Sequence, residues 1–172
     1  GKDYALLMST CAGAWRYLIG DTIRFTSAKK GEIIISGRTK HFLSLVGEHL
    51  SVDNMNRAVE MLCNEFQVEV PEFTVTGISD NNMFSHQWYL GVKGGNLDKK
   101  MAADFLDKKL CELNDDYAVE RKSALKNISV EFIHPDRFYQ YMQSKGKIGG
   151  QHKFPRVMKQ AQYQEWKSFL NA

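Results

Sequence analysis

The sequence predicts an α+β fold, with an N-terminal β-meander followed by a small open sheet with helices packed on one side. Three observations predict it. The first 36 residues hold aromatic and β-branched runs broken by turn-like clusters. Two later segments repeat their apolar residues at helical spacing. The short β-rich runs around them give an order of roughly β-turn-α-β-β-α-β-α, which suits an α+β layer arrangement.

Within the meander, "YALLMST", "AWRYLIG", "DTIRFTS" and "EIIIS" are expected to be strands, separated by turns at "CAG", "GD" and "AKKG". "SVDNMNRAVEMLCNEF" predicts a helix with Ser51 as N-cap and Val52, Met55, Val59, Leu62, Cys63 and Phe66 on one face. "PEFTVTGIS" and "HQWYLGVKG" read as a hairpin across "DNNMFS". "DKKMAADFLDKKLCELN" predicts a second helix, with Met101, Phe105, Leu106, Leu110 and Leu113 in register. "ISVEFIH" is a further strand. "PDRFYQYMQSKG" is a short helix with Pro135 near its start and Gly146 just after its end, and "QYQEWKSFLN" a last helix.

Composition narrows the function. The 172 residues are 43% hydrophobic and 25% charged, with net charge +3, as in a soluble domain. No apolar run reaches membrane-spanning length, so no membrane partner is expected. Many lysines sit beside acids, as in "DKKM", "DKKL" and "VERK", and read as solvated helix faces rather than a nucleic-acid patch. Nucleotide or pyrophosphate suits this charge. Cys11, Cys63 and Cys111 are odd in number and widely spaced, which predicts reduced thiols in a cytoplasmic protein, with neither disulfide nor zinc. The first residue is Gly1 rather than Met, which reads as a tag remnant or cut site in a fragment of a longer protein.

Three stretches carry candidate chemistry. In "WRYLIGDTIR", spacing alone makes Asp21 the corner of a hairpin; a carboxylate held at such a rigid point also suits the vicinal hydroxyls of a ribose. In "GRTKHFLSLVGEHL", a strand ends, a basic run follows, and Gly47 precedes a helix; alone it is a loop with solvated cations. In "GKIGGQHKFPRVMK", a glycine pair precedes Lys153 while Pro155 and Arg156 follow it. A lone lysine is usually exposed for solvation only. Glycines that permit movement and a proline that limits it are what delivering a cation to a phosphate requires.

Taken in order, these motifs resemble the ribose-binding, hinge and catalytic-lysine motifs of adenylate-forming enzymes of the ANL superfamily. The chain is most similar to the C-terminal region of the auxin-responsive acyl-acid amido synthetase family, in its bacterial branch. The resemblance runs nearly end to end through "GAWRYLIGDTIRFT", "GRTKHF", "SHQWYLGV", "LNDDYAVER" and "FYQYMQSKGKIGGQHKFPR". "LNxxYxxxR" (Leu113, Asn114, Tyr117, Arg121) and "GGQHKxPR" are its more family-specific parts.

The resemblance implies that Asp21 binds the ATP ribose, with Arg16 and Tyr17 as the aromatic-basic pair before it. It implies that Arg38 belongs to the hinge motif and contacts ATP, that Lys40 is the pivot, and that Lys153 is the catalytic lysine that meets the α-phosphate. Gln151, Pro155 and Arg156 flank that lysine. Where plant members carry a phosphate-contacting lysine, this chain carries His49 in "VGEHLS", a weaker phosphate ligand when neutral. The implied activity is ATP-dependent adenylation of a carboxylic acid, with Mg²⁺ carried by the ATP phosphates, then acyl transfer to an amine. Residues 1–36 would belong to the junction with a missing N-terminal adenylate-binding domain, and residues 37–172 would form a mobile C-terminal domain. The isolated fragment is expected to be inactive and able to self-associate through its meander. Transfer to coenzyme A, or a non-enzymatic interaction domain, are the alternatives.

Overall fold

The computed structural model describes residues 2–38, 42–45, 47–80, 83–147 and 153–172. The chain runs β1 (Asp3–Met8), β2 (Tyr17–Ser27), β3 (Glu32–Arg38), β4 (Phe42–Leu43), β5 (Leu50–Ser51), α1 (Val52–Phe66), β6 (Glu69–Asp80), β7 (Met83–Lys93), α2 (Lys99–Leu113), α3 (Asp115–Glu120), β8 (Leu125–Ile133), α4 (Asp136–Ser144), β9 (Val157–Met158) and α5 (Gln160–Leu170). Strands β1–β3 form an antiparallel meander, β4 and β5 a short pair, and the main sheet has the order β8-β7-β6-β9. This is the expected α+β class.

Strand β2 corrects the meander. The two strands expected on either side of Gly20-Asp21 are one strand of 11 residues. Pairing with β1 runs Ala5↔Thr22 and then Leu7↔Leu18, so two extra residues of β2 are accommodated between these pairs. Gly20, at φ +88°, sits within this bulge in a conformation open to glycine without steric cost. Asp21 is therefore not a hairpin corner.

Helix α1 forms as expected. The Ser51 hydroxyl accepts from the Asn54 backbone N–H at 3.1 Å, and the Asn54 side chain accepts from the Ser51 N–H at 3.2 Å. This reciprocal cap satisfies two backbone donors at the helix start. Met55, Ala58, Val59 and Leu62 are buried. In α2, Asp98 caps the Met101 N–H, and Ala102, Ala103, Leu106 and Leu110 face inward. Met101 is exposed instead of lying in the apolar register, because the buried stripe runs through Ala102, Ala103, Leu106 and Leu110.

Alternation along β7 divides the core in two. Trp88 and Leu90 point to one face, against α1 and α2. Tyr89 points to the other, where Phe138 and Tyr141 of α4, Phe154, and Tyr163 and Trp166 of α5 are buried together. Packing on one side thus describes α1 and α2, while α4 and α5 cover the opposite face. Cys63 and Cys111 lie half-buried beside the first core, and burial pushes both thiols up; Cys11 is exposed on the β1–β2 connection.

The meander buries little of its own apolar surface. Ile23 is buried, whereas Trp15 is 81% and Ile35 72% exposed, and Leu7, Tyr17, Leu18 and Phe25 are also open.

Candidate functional site

The residues assigned to the nucleotide lie on the meander. Tyr17 opens β2, opposite Met8, with its ring exposed. Arg16 takes a left-handed conformation, φ +48°, and its backbone N–H donates to the Ser9 hydroxyl at 3.1 Å, which fixes the entry into β2. Asp21, half-buried, falls directly opposite Arg38 across the β2–β3 pairing. The β2–β3 pairing, which shifts by one residue between Thr22 and Ile23, brings this carboxylate position and the Arg38 position together in register. Lys40 lies outside the described residues.

The lysine loop runs into β9, an edge strand of the main sheet, whereas the β1–β3 meander is a separate sheet. Lys153 is exposed, and the residue after it is not: Phe154 packs edge-on to Phe138 at 4.7 Å and near Trp166 at 5.2 Å. Beyond it the backbone is stitched to β6. Thr74 Oγ1 donates to the Pro155 carbonyl at 2.8 Å, the Val75 N–H to the Arg156 carbonyl at 2.9 Å, and Thr76 Oγ1 to the Met158 carbonyl at 3.0 Å. Arg156 reaches Glu72 at 2.5 Å and the Phe73 carbonyl at 3.1 Å, with its guanidinium 4.4 Å over the Phe73 ring. Arg156 is thus a structural anchor of the loop. A cation on this mounting has a fixed base and a free head. Gln151 lies outside the described residues.

A cavity of about 290 Å³ opens beside Lys153, between the end of α4 and the start of α5. Lys145 and Lys147 line it too, and neither was singled out from sequence. The only signal was "SKGK", two lysines around a glycine at a helix end. Glu165 binds the Lys145 ammonium at 2.6 Å, and this hydrogen bond raises the lysine's pKa, keeping it charged.

The "LNxxYxxxR" stretch has a different role. The Asn114 side chain accepts from the Tyr117 N–H at 2.7 Å, capping α3, and donates to the His49 carbonyl at 3.3 Å. Fully buried Tyr117 donates to Asp107 at 2.7 Å. Arg121 grips the same carboxylate with two bonds, 2.6 and 2.7 Å, and donates to the Leu125 carbonyl at 2.6 Å. Burial acts to raise the Asp107 carboxyl, and the bonds from Arg121 and Tyr117 outweigh it, leaving the pKa lowered. Burial, together with the neighbouring Asp107 charge, pushes the Tyr117 phenol up. These residues join α2, α3 and β8; they do not build the site.

Leu45 and Glu48 are likewise tied inward. Fully buried Glu48 contacts His86 of β7 at 2.9 Å and accepts the Leu45 N–H at 2.9 Å. The Leu45 side chain occupies the space a Cβ at Gly77 of β6 would need, so a larger residue there would force Leu45 to shift. His49 is exposed and faces Asp116, 3.7 Å away. Among the described residues, no group of three or more His, Cys, Asp or Glu side chains is placed to hold a metal ion.

Known proteins share this architecture. The model of the GH3 family C-terminal domain matches residues 53–162, and that of the GH3 family central domain matches residues 1–33. The chain belongs to the GH3 family. A solved GH3.15 acyl acid amido synthetase superposes with a TM-score of 0.76 at 20% identity, covering 98% of this chain and 33% of its own. An AtGH3.15 acyl acid amido synthetase in complex with 2,4-DB gives 0.74 at 22% identity, with 98% and 32% covered. The GH3 chain here therefore spans about a third of the length of these structures, which share its fold. No curated protein matches the sequence at the threshold applied. No helix among the described residues is long and apolar enough to cross a membrane.

Proposed function

We propose that this GH3 chain is the C-terminal part of a bacterial, cytoplasmic ATP-dependent acyl-acid amido synthetase. The parent enzyme activates a carboxylic acid as its acyl-adenylate, releasing pyrophosphate, and passes the acyl group to an amine, such as an amino acid. The observation that carries this reading is the mounting of Lys153: an exposed ammonium directly before a buried aromatic anchor and a backbone bonded to β6.

Joining a carboxylate to ATP brings two anions together, and charge gathers on the α-phosphate in the transition state. An ammonium aimed there offsets that repulsion. Phe154 and Arg156 fix the base of the loop, so Lys153 is positioned before reaction rather than during it. On the meander, Asp21 accepts from the ribose hydroxyls, Tyr17 offers a ring face beside them, and Arg38 contributes from the facing strand. A carboxylate acceptor and a ring face are groups that suit a ribose and its base, and Mg²⁺ arrives on the ATP phosphates to neutralise their charge.

The second nucleophile needs the space Lys153 occupies. The part of the chain after Lys40 therefore swings between the two half-reactions, while the meander, which ends at Arg38, stays with the preceding adenylate-binding domain. Alone, the chain does not complete the reaction. The test is acid-dependent exchange of pyrophosphate into ATP by the parent enzyme, followed by product mass with an amine or coenzyme A present. Exchange with an amide product is expected. A thioester product assigns transfer to coenzyme A, and absence of exchange with a broad acid panel removes adenylation.

A further inference from the structure

We propose that the cavity beside Lys153 binds a pyrophosphate-type anion, held by Lys145, Lys147 and Lys153. Its role in catalysis rests on the adenylation reading above; the binding itself does not. Among the described residues, these three lysines and one carboxylate, Glu165, are the charged groups that line the cavity, an excess of positive charge on one concave surface. Charges of one sign around a concavity reinforce each other's field, and a small polyanion relieves their repulsion.

The backbone positions that carry these lysines are fixed. Lys145 ends α4; its ammonium lies 2.6 Å from Glu165 and 5.6 Å from the centre of the Tyr141 ring. That pair ties α4 to α5 and uses one of the three ammonium donors. Gly146 then turns the chain at φ +68°, with its N–H on the Gln143 carbonyl at 2.9 Å. The next N–H, from Lys147, closes on the Met142 carbonyl at 2.9 Å. Lys147 is thus pinned to the helix end it has just left. Lysines placed for solvation alone would fan apart; here a helix cap, a glycine turn and the loop anchored by Phe154 converge on one space.

Charge selects the ligand, and at about 290 Å³ the cavity has room for two linked phosphates. The phosphates could come from ATP or from free pyrophosphate, which share this chemistry.

The experiment is calorimetric titration of the 172-residue chain with inorganic pyrophosphate, and in separate arms with ATP, AMP and phosphate. Pyrophosphate is expected to bind, with affinity about tenfold lower in Lys147→Ala, the scale of one lost charge-assisted bond. Glu165→Gln should bind more tightly. Lys30→Ala, a lysine on the β2–β3 connection, should leave binding unchanged. Tighter binding of ATP than of pyrophosphate, with the same dependence on Lys147, assigns the phosphates to the nucleotide; equal or weaker binding assigns them to free pyrophosphate, and both support the site. No binding at millimolar pyrophosphate, no loss in Lys147→Ala, or an equal loss in Lys30→Ala overturns it. Lysine-dependent binding with no acid-dependent pyrophosphate exchange by the parent enzyme keeps the site and removes the adenylation reading; exchange by the parent without lysine-dependent binding removes the site alone.

Discussion

Two stretches that carry the family resemblance, 113–121 and the described part of 149–156, end in opposite states. In the first, the Asn114, Tyr117 and Arg121 side chains all bond to neighbouring parts of the domain: the His49 carbonyl, Asp107 and the Leu125 carbonyl. In the second, Phe154, Pro155 and Arg156 are anchored and Lys153 is left at the surface. A distinctive motif can thus be a joint or a tool, and hydrogen-bond accounting separates the two.

The difference is sharpest in stability. Asp107→Ala should cost roughly 3 kcal/mol, because it strands Arg121 and Tyr117 together while both are largely shielded. Denaturant unfolding measures it, and a cost near zero would break the joint reading. Acid should act through the same carboxylate. Its folded pKa lies below the ordinary value of 3.8, so its contribution is full above the unfolded pKa and is lost as pH falls through the folded one. Stability should therefore decline below about pH 4, and Asp107→Asn should flatten part of that decline. An unchanged acid slope would mean that other carboxylates carry it. The smallest effect belongs to the tool: Lys153→Ala should shift stability by less than about 0.5 kcal/mol, as for an exposed side chain. A larger loss would make Lys153 a structural residue.

Legibility in the sequence followed the range of the interaction. Helix α1 was readable because Ser51 and Asn54 lie three residues apart and its apolar stripe is local. Gly20-Asp21 was not, since a glycine before an aspartate marks a corner unless the facing strand absorbs the extra residues, and only the pairing with β1 and β3 decides that. Strands β4, β5 and β9 have two residues each, too few for any alternation to register. The second sheet face was hidden because its rings come from α4, the Lys153 loop and α5. The exposed lysine was recognisable through its glycine-proline surroundings. The joint made by Arg121 was not, because its partner Asp107 lies 14 residues away on another helix.

The central claim is that Lys153 serves one half-reaction. Single-turnover kinetics on the parent enzyme test it directly, with acyl-adenylate formation and transfer from supplied acyl-adenylate measured separately. Lys153→Ala should slow adenylate formation about a hundredfold, the scale of losing one aimed charge in a transition state, and leave transfer nearly intact. Equal losses in both steps, or no loss in either, would contradict it.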